Sequence, residues 1–310
     1  MKHEKTDLVI IGSGPAGLAA SIYAGRYRIR HVVIGKIMGG LITESHKVCN
    51  YPGFRSITGI ELGFKMKEHA EEFGGLIVSA TVDRIERDGD DFKVITSNGD
   101  EYLTKYVLVA TGTKRRKLNA QGESEFLGKG VTYCATCDGM LYKDKIVAVL
   151  GGADSATTAA IYLADIAKKV YIIYRREQLR GEPIWVEQVL ANKKIEIIYN
   201  TNVTGFEGKD LLQNLVLDNP YNGRLKIPVN GAFIEIGSDP DTSVIDGLGI
   251  QLNTYGYIKV KDSQMTNIRG IYAAGDITDA SNGFQQVITA AAEGAVAAES
   301  IFKSLKQNLS

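Results

Sequence analysis

Apolar residues in this chain fall into short β-branched runs, separated by glycine turns and by stretches of helical period. Leu8–Ile11 (LVII) leads into the turn GSGPAG, then an amphipathic stretch, then a second apolar run, HVVIG. The same order recurs further along as IVAVL, GGADSA, an amphipathic stretch and VYIIY. Asp7–Lys36 aligns with Ile146–Arg175 without a gap, placing Gly12 on Gly151, Gly17 on Ala156 and Ile22-Tyr23 on Ile161-Tyr162. An apolar run, a turn, a 3.6-period stretch and another apolar run make a βαβ unit, so the chain is predicted to contain two. Between them, DDFKVITSNGDEYLTKYVLVATGT predicts a hairpin about Asn98-Gly99, then a buried strand at Tyr106–Ala110 and the turn Thr111–Thr113. NVTGFEG through GRLKIPVNGAFIEIGSDPDT reads as a β-meander. Near the end, GIYAAGDITD (Gly270–Asp279) predicts a strand closing in a Gly-Asp turn. Gly283–Leu305 predicts a long alanine-rich helix that returns over the first turn. The expected fold class is α/β, with two doubly wound units and meander insertions.

Composition narrows the class. With 310 residues there is room for two ordinary domains, and 44% hydrophobic with 23% charged residues is a globular balance. The 34 glycines belong to turns and close backbone approaches, since no Gly/Pro/Ser run occurs. A formal net charge of zero supplies no field to attract nucleic acid or an acidic membrane. No apolar run reaches the roughly eighteen residues a membrane span needs, and the glycines and proline of MKHEKTDLVIIGSGPAGLAA fit a strand–turn–helix better than a signal peptide. Three cysteines are too few for a disulfide framework, so a close pair points to redox or metal chemistry in a reducing, cytoplasmic compartment.

The first turn is a full G-x-G-x-x-G between a predicted strand and a predicted helix. Gly12 permits the tight turn, Gly14 lets backbone approach a pyrophosphate, and Gly17 lets helix and strand pack closely. The helix N-terminus then offers free N–H groups to the phosphates. The acid that usually holds a ribose about 20 residues on is missing, because the second strand ends in Gly35-Lys36. The second turn keeps Gly151 and Gly152 but has Ala153 where the first copy has Gly14, followed by Asp154 and Ser155. Behind the second strand stand Arg175, Arg176 and Arg180, whose planar forks suit the 2′-phosphate of NADP. The competing reading is a solvated charge run. The run Lys114–Lys117 (KRRK) beside a predicted crossover also reads as solvated.

Two cysteines stand together in YCATCDG, as Cys134 and Cys137 with Asp138 adjoining. A Cys-x-x-Cys pair supports thiol–disulfide exchange, one thiolate attacking and the other resolving, and Asp138 is placed to shuttle a proton. The rival readings are two buried cysteines, or half of a zinc site completed from HKVC (His46–Cys49). Cys49 by itself reads as a small core residue. Two nucleotide turns and a dithiol fit one chemistry, in which a flavin links hydride transfer to disulfide reduction, so the first turn is expected to hold FAD.

GSGPAG, NYPGF, ATGT, EFLGKGVTYCATCDG, YRREQLR and GIYAAGDITD occur in an order and spacing that resemble the low-molecular-weight thioredoxin reductase family over essentially the whole chain. The resemblance implies a homodimer of two Rossmann-like domains per subunit. The FAD domain would be discontinuous, at 1–113 and 242–310, with an NADPH domain at 114–241 that carries the dithiol. It implies that Gly12, Ser13, Gly14, Ala16 and Gly17 hold the FAD pyrophosphate. Gly40, Asn50, Gly112, Gly275 and Asp276 would line the same cofactor, with Gln286 near its ring. Gly152, Asp154, Ser155, Arg175, Arg176 and Arg180 would serve NADPH. Cys137 would face the flavin, Cys134 would attack oxidised thioredoxin or a similar small redox protein, and Asp138 would be the acid. No metal is expected. The chain departs from the family at Leu41, Ala153, Tyr174 and Gln285. Those departures keep open another donor such as ferredoxin, another acceptor, or a flavin-binding sensor without turnover.

Overall fold

The computed structural model describes residues 3–307. They form two compact units, 3–114 with 239–307 and 115–238, against the boundaries 113/114 and 241/242 read from the sequence.

The first unit begins β1 (His3–Ile11), α1 (Pro15–Arg26), β2 (His31–Ile34), α2 (Gly59–Glu72), β3 (Leu76–Val78), β4 (Val82–Asp88), β5 (Asp91–Thr96) and β6 (Glu101–Val109). β7 (Thr113–Arg115) carries the chain into the second unit. There follow β8 (Val131–Thr132), α3 (Ala135–Asp138), β9 (Ile146–Leu150), α4 (Asp154–Ile166), β10 (Lys169–Ile173), α5 (Pro183–Ala191), β11 (Ile195–Ile198), β12 (Val203–Gly208), β13 (Leu212–Tyr221), β14 (Arg224–Pro228) and β15 (Gly231–Ile234). β16 (Ser238–Pro240) returns the chain, which ends with β17 (Ile271–Ala273) and α6 (Val287–Gln307).

In the first unit the sheet order is β3-β2-β1-β6-β5-β4. β6 serves two neighbours on one edge: Glu101–Thr104 pair antiparallel with β5, and Val107–Val109 pair parallel with β17. The parallel strands β1, β2, β6 and β17 therefore end together. Gly12 N donates to Ile34 O, Ala110 N to Ile11 O and Ala274 N to Val109 O, so three strand-to-loop turns are gathered at one end. Such carboxyl ends are where ligands bind in open parallel sheets. One sheet face packs on α1 and α6 through Leu8, Ile10, Leu108 and Tyr272, and the other buries Val9, Val32, Val107 and Ile271. α6 lies close to α1 because it is small-residue rich. A Cβ on Gly294 would stand 2.0 Å from Ala16 O.

The second unit has an all-parallel sheet, β11-β10-β9-β15-β8, and the separate antiparallel meander β12-β13-β14. α4 and α5 cover one face through Leu163 and Val189, with Tyr174 from the loop after β10 in the same cluster; the meander side buries Leu215, Ile227 and Phe206. Among the described residues no helix is long and apolar enough to cross a membrane.

A buried polar pair stitches α1 to β2. His31 Nδ1–H donates to Ile29 O at 2.9 Å, which leaves Nε2 to accept from Ser21 Oγ at 2.8 Å. Burial pushes the His31 pKa down. The folded protein thus holds the neutral ring while the unfolded chain takes up a proton near pH 6.5. Stability from this pair is present above that pH and is lost as pH falls through the depressed folded value. His31→Gln keeps an acceptor for Ser21 and removes the ionisable ring. Between about pH 7 and pH 5 its Tm is expected to fall about 2–4 °C less than that of the wild type in scanning calorimetry. Parallel curves for the two proteins would assign the acid sensitivity to other groups.

Candidate active site

The first glycine turn joins β1 to α1. Gly12 has φ +116°, and a Cβ there would sit 2.0 Å from Ala110 O; a Cβ on Gly17 would sit 1.9 Å from Gly12 O. Both glycines are demanded by the protein's own backbone. Gly14 is different. It is the N-cap of α1, in extended conformation, and a Cβ on it would meet nothing nearer than Gly40 Cα at 3.8 Å. Neither backbone strain nor internal packing calls for glycine there, so the cleared space faces outward. The helix has no side-chain cap, leaving its first N–H groups for an anion. These features fit the pyrophosphate of a flavin dinucleotide.

The neighbouring residues are built around this turn. Ser13 Oγ donates to Ile37 O at 2.9 Å, and its O accepts from Gly39 N at 2.9 Å. Gly35 stands where an acid was missed, and it too is needed by packing: a Cβ would lie 2.4 Å from Ser13 Oγ. Gly40, at φ +66°, comes so close that its Cβ would be 3.0 Å from Gly14 Cα. Gly112, at φ +68°, has open space on its Cβ side. Asn50 Nδ2 donates to Gln286 Oε1 at 2.9 Å, bringing two expected cofactor residues together from 236 positions apart. The departure Gln285 donates from Nε2 to Asp276 O at 3.2 Å, bracing the Gly-Asp turn.

Glu293 was missed by the sequence reading. It is 7% exposed and accepts from Gly275 N (2.8 Å), Thr278 Oγ1 (3.2 Å) and Ser281 Oγ (2.6 Å), so one carboxylate organises the whole Gly-Asp loop. Burial, reinforced by the Glu293 charge, pushes the Asp276 carboxyl up to about 6. The only sequence signal for Glu293 is an acid set among the alanines of the first half of α6.

In the second unit, Cys134 and Cys137 form a disulfide across 5.4 Å of Cα separation. Cys134 is the N-cap of the one-turn helix α3, and its Sγ accepts from Cys137 N at 3.1 Å. Thr132 links the ends of the loop: its Oγ1 accepts from Cys134 N at 3.2 Å and donates to Asp138 Oδ2 at 2.5 Å. Tyr133 donates its phenol to Glu123, which also accepts from Leu118 N and Ala120 N. Burial and this carboxylate push the Tyr133 pKa up. Past the dithiol, Met140 and Leu141 are 64% and 68% exposed, an apolar pair at the surface that pattern alone had not singled out. The two sulfurs are bonded to each other, the arrangement of a redox pair rather than of open metal ligands. Among the described residues no group of three or more His, Cys, Asp and Glu could hold a metal ion.

Cys49 is exposed, which corrects its reading as a core residue. Val48 pairs with Ile57 across an isolated bridge and points inward, and the alternation turns Cys49 out. KRRK is likewise more than a solvated run. Lys114 lies 3.6 Å from Asp241, Arg115 pairs with buried Glu235 at 3.1 Å, and Arg116 donates to Ser238 O at 3.2 Å.

The second glycine turn repeats the first with one change. Ala153 is the N-cap of α4 in nearly the backbone conformation of Gly14 (φ −105°, ψ −168° against −82°, −175°). Asp154 Oδ1 accepts from Glu182 N at 2.5 Å, and Ser155 follows in the first turn of α4. Gly152 is required internally, since a Cβ would lie 2.5 Å from the Tyr174 ring. Arg175, Arg176 and Arg180 are all exposed on the loop behind β10.

Comparison with known proteins identifies the family. The family model for pyridine nucleotide-disulphide oxidoreductases matches residues 6–294. Thioredoxin reductase of Peptoclostridium acidaminophilum is 40% identical over 311 residues, covering 97% of this chain and 98% of its own. The crystal structure of Lactococcus lactis thioredoxin reductase superposes with a TM-score of 0.92 at 36% identity, covering 97% of this chain and 99% of that one. A ferredoxin-flavin thioredoxin reductase structure from Clostridium acetobutylicum is 35% identical over 98% of this chain and 99% of its own, with a TM-score of 0.54. The doubled nucleotide fold, the disulfide and full-length similarity at these identities place the chain in the low-molecular-weight thioredoxin reductase family of pyridine nucleotide-disulphide oxidoreductases, flavoproteins with a redox-active disulfide.

Proposed function

We propose that the protein is an FAD-dependent disulfide reductase that passes electrons from NADPH to the Cys134–Cys137 disulfide and on to oxidised thioredoxin. The observation carrying this reading is the disulfide capped at Cys134 Sγ by the Cys137 N–H, in a chain that also has a glycine turn cleared for a dinucleotide. FAD, when bound, supplies two-electron exchange between a nicotinamide and a disulfide.

Gly12, Ser13, Gly14, Ala16 and Gly17 bind the FAD pyrophosphate at the α1 N-terminus. Gly40, Asn50, Gly112, Gly275, Asp276 and Gln286 line the rest. Gly152, Asp154, Ser155, Arg175, Arg176 and Arg180 receive NADPH, the arginines meeting its 2′-phosphate. Two electrons and one proton convert the disulfide to one thiol and one thiolate. The Cys137 N–H favours the thiolate on Cys134, which makes Cys134 the attacking sulfur toward thioredoxin and Cys137 the partner of the flavin. Asp138, oriented by Thr132, holds the proton that accompanies reduction. Exposed Met140 and Leu141 offer an apolar rim for a small redox protein beside the dithiol. Ile60 and Phe64, one turn apart and exposed on α2, suit a homodimer contact. A working dithiol belongs in a reducing compartment, hence the cytoplasm.

One observation favours a second reading. Ala153 puts a methyl group where the first turn keeps clear space, and a relative of similar identity is named for ferredoxin. On that reading the flavin and dithiol are unchanged and another donor feeds them. A coupled assay separates the two. NADPH oxidation by the purified protein is expected to require added thioredoxin, with NADH supporting less than about a tenth of the rate. Turnover with reduced ferredoxin and none with NADPH would select the second reading.

A further inference from the structure

The loop between β10 and α5 is laced onto the second glycine turn. Arg180 N donates to Gly152 O at 2.7 Å, and Glu182 N donates to Asp154 Oδ1 at 2.5 Å. On the other side, Thr201 N donates to Tyr174 O at 3.1 Å and Asn200 N to Arg176 O at 3.2 Å. At the centre lies Tyr174, 6% exposed, its ring filling the space that glycine leaves at position 152. Its phenol oxygen accepts from Arg180 Nε at 2.9 Å.

That last bond has a consequence for recognition. An arginine side chain on a surface loop samples many rotamers, and ordering it on a ligand costs affinity. Here the backbone of Arg180 is tied to Gly152 and its Nε to the Tyr174 hydroxyl, while the residue stays exposed. Nε is satisfied by a neutral group, so the two terminal nitrogens remain to form a planar fork for a phosphate. We propose that Tyr174 is a positioning residue that sets the preference of the second glycine turn for a 2′-phosphorylated adenosine, by holding the Arg180 guanidinium ready beside Gly152. The inference rests on the reading of this turn as the NADPH site and deepens it. A ligand with a free 2′-hydroxyl has no charge for the fork to meet and gains little from this preorganisation. The arrangement also compensates for Ala153: selectivity is carried on the arginine side of the turn.

The test uses the full-length holoprotein and two redox-silent probes, adenosine 2′,5′-bisphosphate and adenosine 5′-monophosphate, titrated by calorimetry. Tyr174→Phe keeps the ring against Gly152 and deletes the acceptor. Its affinity for the bisphosphate is expected to fall roughly fivefold, with the monophosphate unchanged. Arg180→Ala is expected to lose more, and Tyr174→Phe added to Arg180→Ala is expected to change nothing further, because both act through one contact. Equal weakening of both probes by Tyr174→Phe would mean a packing role and overturn the inference. So would unchanged selectivity, or a full additional loss in the Arg180→Ala background, while leaving the NADPH reading intact. A wild-type protein that binds the two probes equally well overturns the NADPH reading itself, and this inference with it.

Discussion

Cys137→Ser is expected to abolish thioredoxin-dependent turnover, by about a thousandfold or more, while leaving the protein yellow and its flavin reducible. The expectation follows from the bond that the chemistry must break. The disulfide joins Cys134 and Cys137, and its reduction leaves one sulfur as a thiolate. With serine at 137 there is no disulfide to accept electrons, and a mixed disulfide formed at Cys134 has no resolving thiol. The rest of the loop should survive the change. Thr132 still bridges Cys134 N and Asp138, and Glu123 still anchors Tyr133. The loss should therefore be chemical rather than structural. Stoichiometry gives a second readout. An anaerobic dithionite titration should consume two two-electron equivalents per wild-type subunit, one for the flavin and one for the disulfide, and one equivalent in the variant. Retained thioredoxin-reducing turnover in Cys137→Ser would end the dithiol mechanism.

Gly14→Ala is expected to yield a folded protein that loses its flavin, with affinity down roughly a hundredfold. The estimate corresponds to losing one or two charge-assisted amide-to-phosphate bonds when a methyl group holds the pyrophosphate away from the turn. Nothing inside the protein resists the change. The backbone is extended at Gly14, and the nearest atoms to a new Cβ are Gly40 Cα at 3.8 Å and Gly39 O at 3.9 Å. Gly12 is the control for the opposite case, since its φ of +116° and the 2.0 Å approach to Ala110 O make any side chain there a folding defect. Flavin-to-protein absorbance ratios and a thermal melt of the two apoproteins check the prediction. A Gly14→Ala protein that keeps stoichiometric flavin would show that the glycine is not held clear for a ligand. Gly14→Ala also places in the first turn what Ala153 already is in the second, so its outcome calibrates how much the second turn gives up.

The parts of the fold that were legible in the sequence are those with local period. The two βαβ units, the hairpin at Asn98-Gly99 and the β12-β13-β14 part of the meander declare themselves within about thirty residues, whereas GAFI, read as a further meander strand, is β15 and pairs parallel with β9 and β8 in the nucleotide-fold sheet. The Cys-x-x-Cys-Asp run was legible for the same reason. Legibility fails where a contact joins distant positions through shape. β17 is three residues long and pairs with the far half of β6, a strand more than 160 positions earlier. Nothing in Ile271–Ala273 announces which strand it will meet. The lacing of Tyr174, Arg180 and Gly152 depends on a ring fitting the space of an absent Cβ. Glu293 could not be linked to the Gly-Asp loop, because its three donors lie 12 to 18 residues upstream and become neighbours only once α6 has docked. Cys49 was misplaced because residue type was weighed above position, and the Val48–Ile57 bridge decides which side faces out.

The link between the two nucleotide turns and the dithiol is tested most directly by the visible spectrum of the purified protein under anaerobic conditions, recorded before and after NADPH and, in a separate sample, NADH. Rapid bleaching of a yellow protein by NADPH, with poor bleaching by NADH, is the expected result; it would make Ala153 a tolerated substitution and the arginine loop a working phosphate site. A yellow protein that dithionite bleaches and neither nucleotide does would contradict it, leaving the flavin and the Cys134–Cys137 pair in place and moving the electron source to another donor.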